Sequence, residues 1–115
     1  MYGDYNDLAV QQTNQHNAWD GHNFDLHVAG DYNKVLIKQQ GNGPKDIDLT
    51  IYNDNNDVYV RQKGTNAQHT ANITLDGLYG TDLTLLQFGT SGTQNYTISV
   101  DCMTVGGCST SVTQE

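Results

Sequence analysis

This sequence has little of what builds helices. Glutamate occurs once, as Glu115, alanine is thinly spread over the 115 residues, and the only proline is Pro44. Glycine, asparagine, aspartate, threonine and glutamine are plentiful instead. This composition favours many short strands joined by glycine- and asparagine-rich turns. At this length the chain is expected to form one domain, residues 1–115, with a core of its own.

Basic residues are also few. Five lysines and arginines stand against 13 acidic residues, which gives a formal net charge of −8 at pH 7. Residues 1–30 and residues 64–115 each carry a net charge of −4, while residues 31–63 are neutral. Neither nucleic acid nor an anionic membrane is an expected partner, because both are negatively charged. No run of about 18 apolar residues occurs, so membrane insertion is not expected either.

Cysteine is limited to Cys102 and Cys108, which enclose the segment Met-Thr-Val-Gly-Gly. This short segment can fold back on itself. A disulfide worth about 2 kcal/mol is therefore the favoured hypothesis, with two reduced cysteines as the alternative. A lone pair of cysteines lacks the further ligands that a zinc site needs.

Candidate catalytic and metal-binding groups form no recognisable pattern. Ser91 lies in no Gly-x-Ser-x-Gly motif, and the carboxylates are scattered over turns. The histidines match no compact metal site and are expected to be solvated loop residues: His16, His22, His27 and His69. The sequence thus predicts no catalytic residue, no cofactor and no metal site, and the protein is not expected to be an enzyme.

An internal repeat dominates the chain. Four segments have a polar residue six positions before a glutamine, with alternating apolar residues between the two. The opening residues are Asn6, Asn33, Asn56 and Thr81, and the closing glutamines are Gln12, Gln39, Gln62 and Gln87. A glycine follows two positions after three of the glutamines: Gly41, Gly64 and Gly89. Asn14 takes this place in the first unit, which suggests a left-handed backbone there.

Each unit continues with a second alternating run and closes with a turn cluster. The second runs are Phe24–Val28, Ile47–Ile51, Ala71–Leu75 and Tyr96–Val100. The repeats are predicted to span about residues 4–30, 31–53, 54–78 and 79–101. Residues 102–115 lie outside them, as a C-terminal cap or tail, or as one last irregular strand through residues 109–113.

A single unit of this kind cannot bury its apolar face, but stacked copies share a continuous core. Stacking in register places the glutamines in one column and the opening asparagines and threonine in another. Rungs about 4.8 Å apart then let each side-chain amide donate to the next. The sequence therefore predicts an all-β solenoid of four strand-loop-strand repeats. An eight-stranded β-sandwich is the alternative, although it has no need for glutamine at the same place in every second strand.

The step from Asn56 to Gln62 and Gly64, and its counterparts in the other units, resemble the curlin repeat of bacterial curli fibre subunits. That pattern is a serine, five residues, a glutamine, one residue and a glycine, followed later by asparagine, alanine and a second glutamine. Here asparagine or threonine stands in place of the serine, and the second glutamine is absent. The resemblance covers about residues 4–101.

The resemblance implies a secreted, non-enzymatic subunit of an extracellular amyloid fibre or biofilm matrix, assembled head to tail from β-solenoid rungs. Self-association, or association with related fibre subunits, is the interaction it implies, and no signal peptide is seen in this sequence. The alternative function is a monomeric all-β module that binds carbohydrate or a surface partner through exposed tyrosines. Tyr52 and Tyr59 are predicted on outer faces, and Tyr5 and Tyr32 at turns.

Overall fold

The computed structural model describes residues 1–13, 21–65, 67–90 and 92–115. The described residues form nine β-strands and no helix, so no helix in this part of the chain could cross a membrane. The strands are β1 (Asp7–Thr13), β2 (Asn23–Val28), β3 (Lys34–Gln40), β4 (Lys45–Ile51), β5 (Asp57–Lys63), β6 (Ala67–Gly77), β7 (Thr81–Phe88), β8 (Gly92–Cys102) and β9 (Cys108–Gln114).

The chain winds between two parallel sheets. The odd-numbered strands form sheet 1, in the order β1-β3-β5-β7-β9, and the even-numbered strands form sheet 2, in the order β2-β4-β6-β8. Each pairing between neighbouring strands is parallel, so the chain advances by one rung after every two strands. This winding confirms the predicted β-solenoid. It excludes a sandwich of antiparallel hairpins, which would pair consecutive strands.

The core lies between the two sheets, where the alternation of each strand sends its apolar residues inward. One column of sheet 1 pairs Val10, Ile37, Val60, Leu85 and Val112 in successive rungs. The middle members are fully buried, whereas Val10 in the terminal strand β1 is 41% exposed. The molecule is a flat slab measuring 44 × 25 × 13 Å between its outermost Cα atoms. Its broad faces are the outer faces of the two sheets, and its two end strands are β1 and β9 in sheet 1.

Two regions differ from the sequence prediction. The apolar run Ala71–Leu75 predicts only the middle of β6, which begins at Ala67 and therefore includes Gln68. The tail beyond residue 102 contains a regular strand, β9, that pairs with β7 over its full length in the register of the earlier rungs. Sheet 1 therefore has one strand more than sheet 2 among the described residues.

Candidate functional site

The predicted glutamines form a continuous column inside the solenoid. Gln12 Nε2 donates to Gln39 Oε1 at 2.6 Å, and Gln39 Nε2 donates to Gln62 Oε1 at 3.1 Å. Gln62 Nε2 then donates to Gln87 Oε1 at 2.7 Å. The middle members are completely buried. Each amide thus satisfies the next, which removes the cost of burying a polar group without a partner.

The same amides also connect the two sheets. Gln39 Nε2 donates to the backbone oxygens of Asn23 and Lys45 at 3.0 and 2.8 Å, at the beginning of the even-numbered strands. Gln62 Nε2 reaches the oxygen of Asp46 at 3.3 Å in the same way. A side chain at the end of an odd strand therefore binds the beginning of an even strand. This explains why each rung has glutamine where the chain turns from sheet 1 into sheet 2.

The column has a fifth member that the repeat analysis missed. Gln87 Nε2 donates to Gln114 Oε1 at 2.7 Å, and Gln114 lies in β9. The signal was in the sequence, because Gln114 is 27 residues after Gln87 and six after Cys108. Cysteine at the opening position, where the other units have asparagine or threonine, concealed the repeat.

The opening asparagines form a second column with different chemistry. Asn6 Oδ1 accepts a hydrogen bond from the backbone N–H of Asn33 at 3.0 Å, and Asn33 Oδ1 accepts one from Asn56 at 2.9 Å. Asn56 Oδ1 accepts one from the backbone of Thr81 at 2.8 Å. These bonds join a backbone N–H to a side-chain oxygen, whereas the glutamines are joined side chain to side chain. The column therefore fixes the backbone at the corner that enters each odd strand, and Thr81 ends it because threonine has no amide oxygen.

A third column, of aspartates, lies on the same corner. The segment Tyr2–Asn6 repeats as residues 29–33, with Gly-Asp-Tyr-Asn in both, and the repeat analysis did not use this match. Asp31 Oδ1 accepts from the backbone N–H of Asp4, and Asp54 Oδ1 accepts from that of Asp31, both at 2.7 Å. Tyr5 and Tyr32 follow the aspartates with φ values of 59° and 57°. The sequence, the hydrogen bonds and the backbone conformation of this corner therefore repeat from the first rung to the second.

Two of the three glycines, Gly41 and Gly64, lie where the backbone of the next rung comes close, because a Cβ at either would overlap a carbonyl oxygen of that rung. Gly41 has a φ of +100°, as the left-handed interpretation requires, whereas Gly64 and Gly89 do not have positive φ. That interpretation is therefore wrong for two of the three positions. A Cβ at Gly64 would instead overlap the carbonyl oxygen of Gly89 in the next rung. Asn14 lies outside the described residues.

We expect Gly64→Ala to lower the free energy of unfolding by about 2 kcal/mol, because the new methyl group meets backbone that cannot rotate away. Gly89→Ala is the matched control. Its Cβ would have its nearest contact with the side chain of Gln94, at 3.2 Å, and that side chain can move. Urea unfolding of both variants measures the difference. Equal losses would show that steric contact between rungs does not explain this column.

A fourth inner column was not foreseen. Lys45 pairs with His69 in β6, and His69 pairs with Gln94 in β8, all on the inner face of sheet 2. Lys45 is fully buried, and its Nζ donates to the carbonyl oxygens of Asn42, Gly43 and Ala67 at 2.7–3.2 Å. Burial lowers the pKa of the Lys45 ammonium. These carbonyls solvate a cation in place of water, at the corner between β3 and β4.

His69 corrects the expectation of solvated loop histidines. It is 1% exposed, and neither ring nitrogen has a hydrogen-bond partner among the described residues. Burial, with a smaller contribution from the charge of Lys45, lowers the pKa of His69 to about 4. His22 is half-buried with its pKa also lowered, mainly by burial, whereas His27 is exposed on β2. His16 lies outside the described residues.

The cysteines are bonded to each other. Cys102 ends β8 and Cys108 begins β9, with their Cα atoms 5.8 Å apart. The disulfide closes the corner through which the chain passes from sheet 2 back to sheet 1 for the last time. It therefore holds β9 next to β7 without the aspartate and asparagine contacts that fix the earlier corners.

Among the described residues no strand pairs with the outer edge of β1 or of β9, so both ends of sheet 1 are open in this part of the chain. Asp7 N–H donates to Asn33 O and Cys108 N–H donates to Gly80 O, so alternate residues of β1 and β9 direct their backbone groups away from the molecule. On β9 these are Ser109, Ser111 and Thr113. Such edges are templates for a further parallel strand.

The described residues contain no group of three histidine, cysteine, aspartate or glutamate side chains that could hold a metal ion. Comparison with known proteins adds no family. No protein-family model matches the chain, and no curated protein or solved structure matches it either. The features that carry a functional argument are therefore the side-chain columns and the open strand edges.

Proposed function

We propose that this protein is a structural subunit of a curli-like extracellular fibre or biofilm matrix, assembled by head-to-tail stacking of its solenoid rungs. The observation that carries the proposal is the pair of open parallel edges, β9 at one end and β1 at the other. Both edges belong to the same sheet and run in the same direction, so copies related by simple translation can pair.

The inner columns support this stacking because they continue across the junction. With β9 of one copy under β1 of the next, Val112 lies beside Val10, and Gln114 beside Gln12. Gln114 Oε1 accepts from Gln87, whereas its Nε2 has, among the described residues, a single contact of 3.3 Å with Asn95 O. This Nε2 could donate to Gln12 of the next copy, as every other member of the column does. Val10, 41% exposed in one copy, would be covered there.

The unequal sheets define the repeat of such a fibre. Five strands of sheet 1 stack along the axis, so each subunit would advance the fibre by about 24 Å, given a strand spacing of about 4.8 Å. The described residues of sheet 2 supply four strands over that distance. One strand position would stay unpaired at every junction, between β8 and β2 of the next copy.

Fibre growth is the experiment that tests the proposal. At pH 7 the net charge of −8 opposes stacking, so we expect thioflavin-positive fibres to form faster in about 1 M salt than in about 0.01 M salt. Fibre diffraction or cryo-electron microscopy should give the spacing of about 4.8 Å and the subunit repeat of about 24 Å. We expect Ser111→Pro to stop elongation, because proline removes an outward N–H from the open edge.

Ser111→Ala keeps that N–H and is the matched control, which should elongate like the parent. Both variants should unfold within about 0.5 kcal/mol of the parent, since Ser111 is exposed and its N–H makes no bond to β7. Normal elongation by the proline variant, or no polymer at any salt concentration, would contradict head-to-tail stacking.

Secretion, the absence of catalytic activity and association with related fibre subunits belong to the same proposal. The Cys102–Cys108 bond supports an extracellular location, because disulfides persist in oxidising compartments.

A second candidate function is a monomeric module that binds carbohydrate. It is favoured by one observation: the rings of Tyr5 and Tyr32 stack 5.0 Å apart with 8° between their planes, while the residues are 77% and 58% exposed. Such a pair offers a flat aromatic surface to a sugar ring. In the fibre experiment, a chain that stays monomeric and whose Tm rises with an added oligosaccharide would favour this function.

A further inference from the structure

The charges of the slab are divided between its two broad faces. Of the five basic residues, Lys45 is buried, and the other four lie on the outer face of sheet 1: Lys34, Lys38, Arg61 and Lys63. The outer face of sheet 2 has no lysine or arginine among its described residues. It carries Asp25, Asp46, Asp48, Asp76 and Asp101. Against these four basic residues the face of sheet 1 carries Asp7, Asp57 and Asp82, so its net charge is +1 in a chain of net charge −8.

The positive charge is concentrated near one margin of sheet 1. Lys38 and Arg61 pair in neighbouring strands, and Lys63 lies two residues after Arg61, all towards the ends of β3 and β5. We call these three residues the basic margin. Arg61 is held in place, since its Nη2 donates to Gln40 Oε1 at 3.3 Å and its guanidinium lies 5.7 Å from the centre of the Phe88 ring.

Three of the five outer aspartates of sheet 2 lie towards the same margin of the slab. Asp25 and Asp48 pair in neighbouring strands, and Asp46 lies two residues before Asp48. We call these three residues the acidic margin. Asp46 lies near the beginning of β4, and Asp25 and Asp48 lie closer to the middle of their strands, on the side where the even strands start after the turn from sheet 1. Gln39 in β3 bonds to Lys45 in β4 at 2.8 Å, so the end of β3 and the beginning of β4 lie across the slab from each other.

We propose that the two broad faces bind each other in side-by-side copies of this chain, with the basic margin of one copy against the acidic margin of the next. Copies related by translation across the slab place the two margins directly opposite. Both margins consist of three charges spread over two neighbouring strands, and strand spacing is the same in both sheets, about 4.8 Å. The charges of the two margins are therefore equal in number and similar in spacing, and they are opposite in sign.

The charges at the other margin of the slab select the orientation. Sheet 1 carries Asp7, Asp57 and Asp82 there, in one column with Lys34, and sheet 2 carries Asp76 and Asp101. Turning one copy end for end would place the acidic margin against Asp57 and Asp82, where only Lys34 could offset the repulsion. Translation keeps the acidic margin against lysine and arginine, so it is the favoured arrangement.

This inference goes beyond the proposed fibre, because it uses the broad faces and not the strand edges. It gives fibres a way to associate laterally, and it also applies to soluble monomers. The experiment therefore uses the Ser111→Pro background, in which end-to-end stacking is blocked, so that the two kinds of association are measured separately.

Sedimentation equilibrium at about 20 mM salt and pH 7 measures the association of charge-reversal variants. We expect Lys38→Glu with Lys63→Glu to weaken self-association about tenfold, and Asp46→Lys with Asp48→Lys to weaken it similarly. An equimolar mixture of these two variants should form a one-to-one complex, because the reversed face of each complements the reversed face of the other. The variant with all four changes keeps the net charge of the parent and should recover its self-association.

Lys34→Glu is the matched control for Lys38→Glu. Both changes are on the same face and alter the net charge equally, but Lys34 lies at the other margin, so only Lys38→Glu should weaken association strongly. Two results would overturn the proposal. One is equal weakening by both single variants with no complex in the mixture. The other is a parent protein that stays monomeric yet binds a polyuronate through Lys38 and Lys63, which would assign the basic margin to an acidic polysaccharide instead.

Discussion

Replacing Gln62 by leucine is expected to lower the free energy of unfolding by about 3 kcal/mol, although leucine is the more apolar residue. Gln62 is completely buried in the middle of the glutamine column. It accepts a hydrogen bond from Gln39 and donates one to Gln87. Leucine can do neither, so Gln87 Oε1 loses the amide donor of Gln62 and Asp46 O loses its contact with the column.

Gln68→Leu is the control for this change. Gln68 lies on the outer face of β6 and is exposed, so the same substitution should change the free energy of unfolding by less than about 0.5 kcal/mol. Denaturant unfolding at pH 7 followed by circular dichroism compares the two variants. If they lose the same stability, the column does not contribute through its hydrogen bonds.

Acid is expected to cost the protein about 3 kcal/mol of stability between pH 6.5 and pH 4, through His69 alone. The pKa of His69 is about 4 in the folded protein, below the ordinary value of 6.5 that applies after unfolding. Between these two values the unfolded chain binds a proton that the folded chain does not, so stability falls as the pH falls. Below about pH 4 both states bind the proton and this loss stops increasing.

His69→Leu should remove most of this pH dependence, because leucine cannot be protonated and leaves no unpaired nitrogen beside Lys45. His27→Leu, at an exposed position on β2, should leave the pH dependence in place. Thermal unfolding of both variants at intervals between pH 7 and pH 4 tests this. A pH dependence that survives in the His69 variant would show that another group unfolds the protein in acid. This is also why salt, and not acid, is the cleaner way to reduce repulsion in the fibre experiment.

The predicted parts of the structure share one property, which is repetition at a fixed distance along the chain. The six-residue step to Gln39, Gln62 and Gln87 was sufficient to predict the parallel winding, since a side chain repeated at one strand position implies one register. The same reasoning predicts Gln114 as a member of the column once cysteine is accepted at the opening position. It also reaches the corner segment, where Gly-Asp-Tyr-Asn occurs twice.

The environment of Lys45 and His69 could not be predicted in the same way. A lysine, a histidine and a glutamine do not resemble one another, so their alignment in one column leaves no periodic signal. Their burial depends on the strands of sheet 2 beginning before their apolar runs, as β6 does at Ala67. Lysine is usually exposed to solvent and histidine often is. Here the carbonyls of the corner and the neighbouring rungs take the place of water.

The sequence by itself determined the rung: its strands, its inward apolar residues and the polar residues at its corners, because each depends on local periodicity and on side-chain type. The tertiary structure alone decided how the rungs end and what surrounds them. It gave sheet 1 a fifth strand, since β9 is held by pairing with β7 and by the Cys102–Cys108 bond. It also set four of the five basic residues on one face and five of the eight strand aspartates on the other. That separation follows from the winding, which sends alternate strands to opposite faces of the slab.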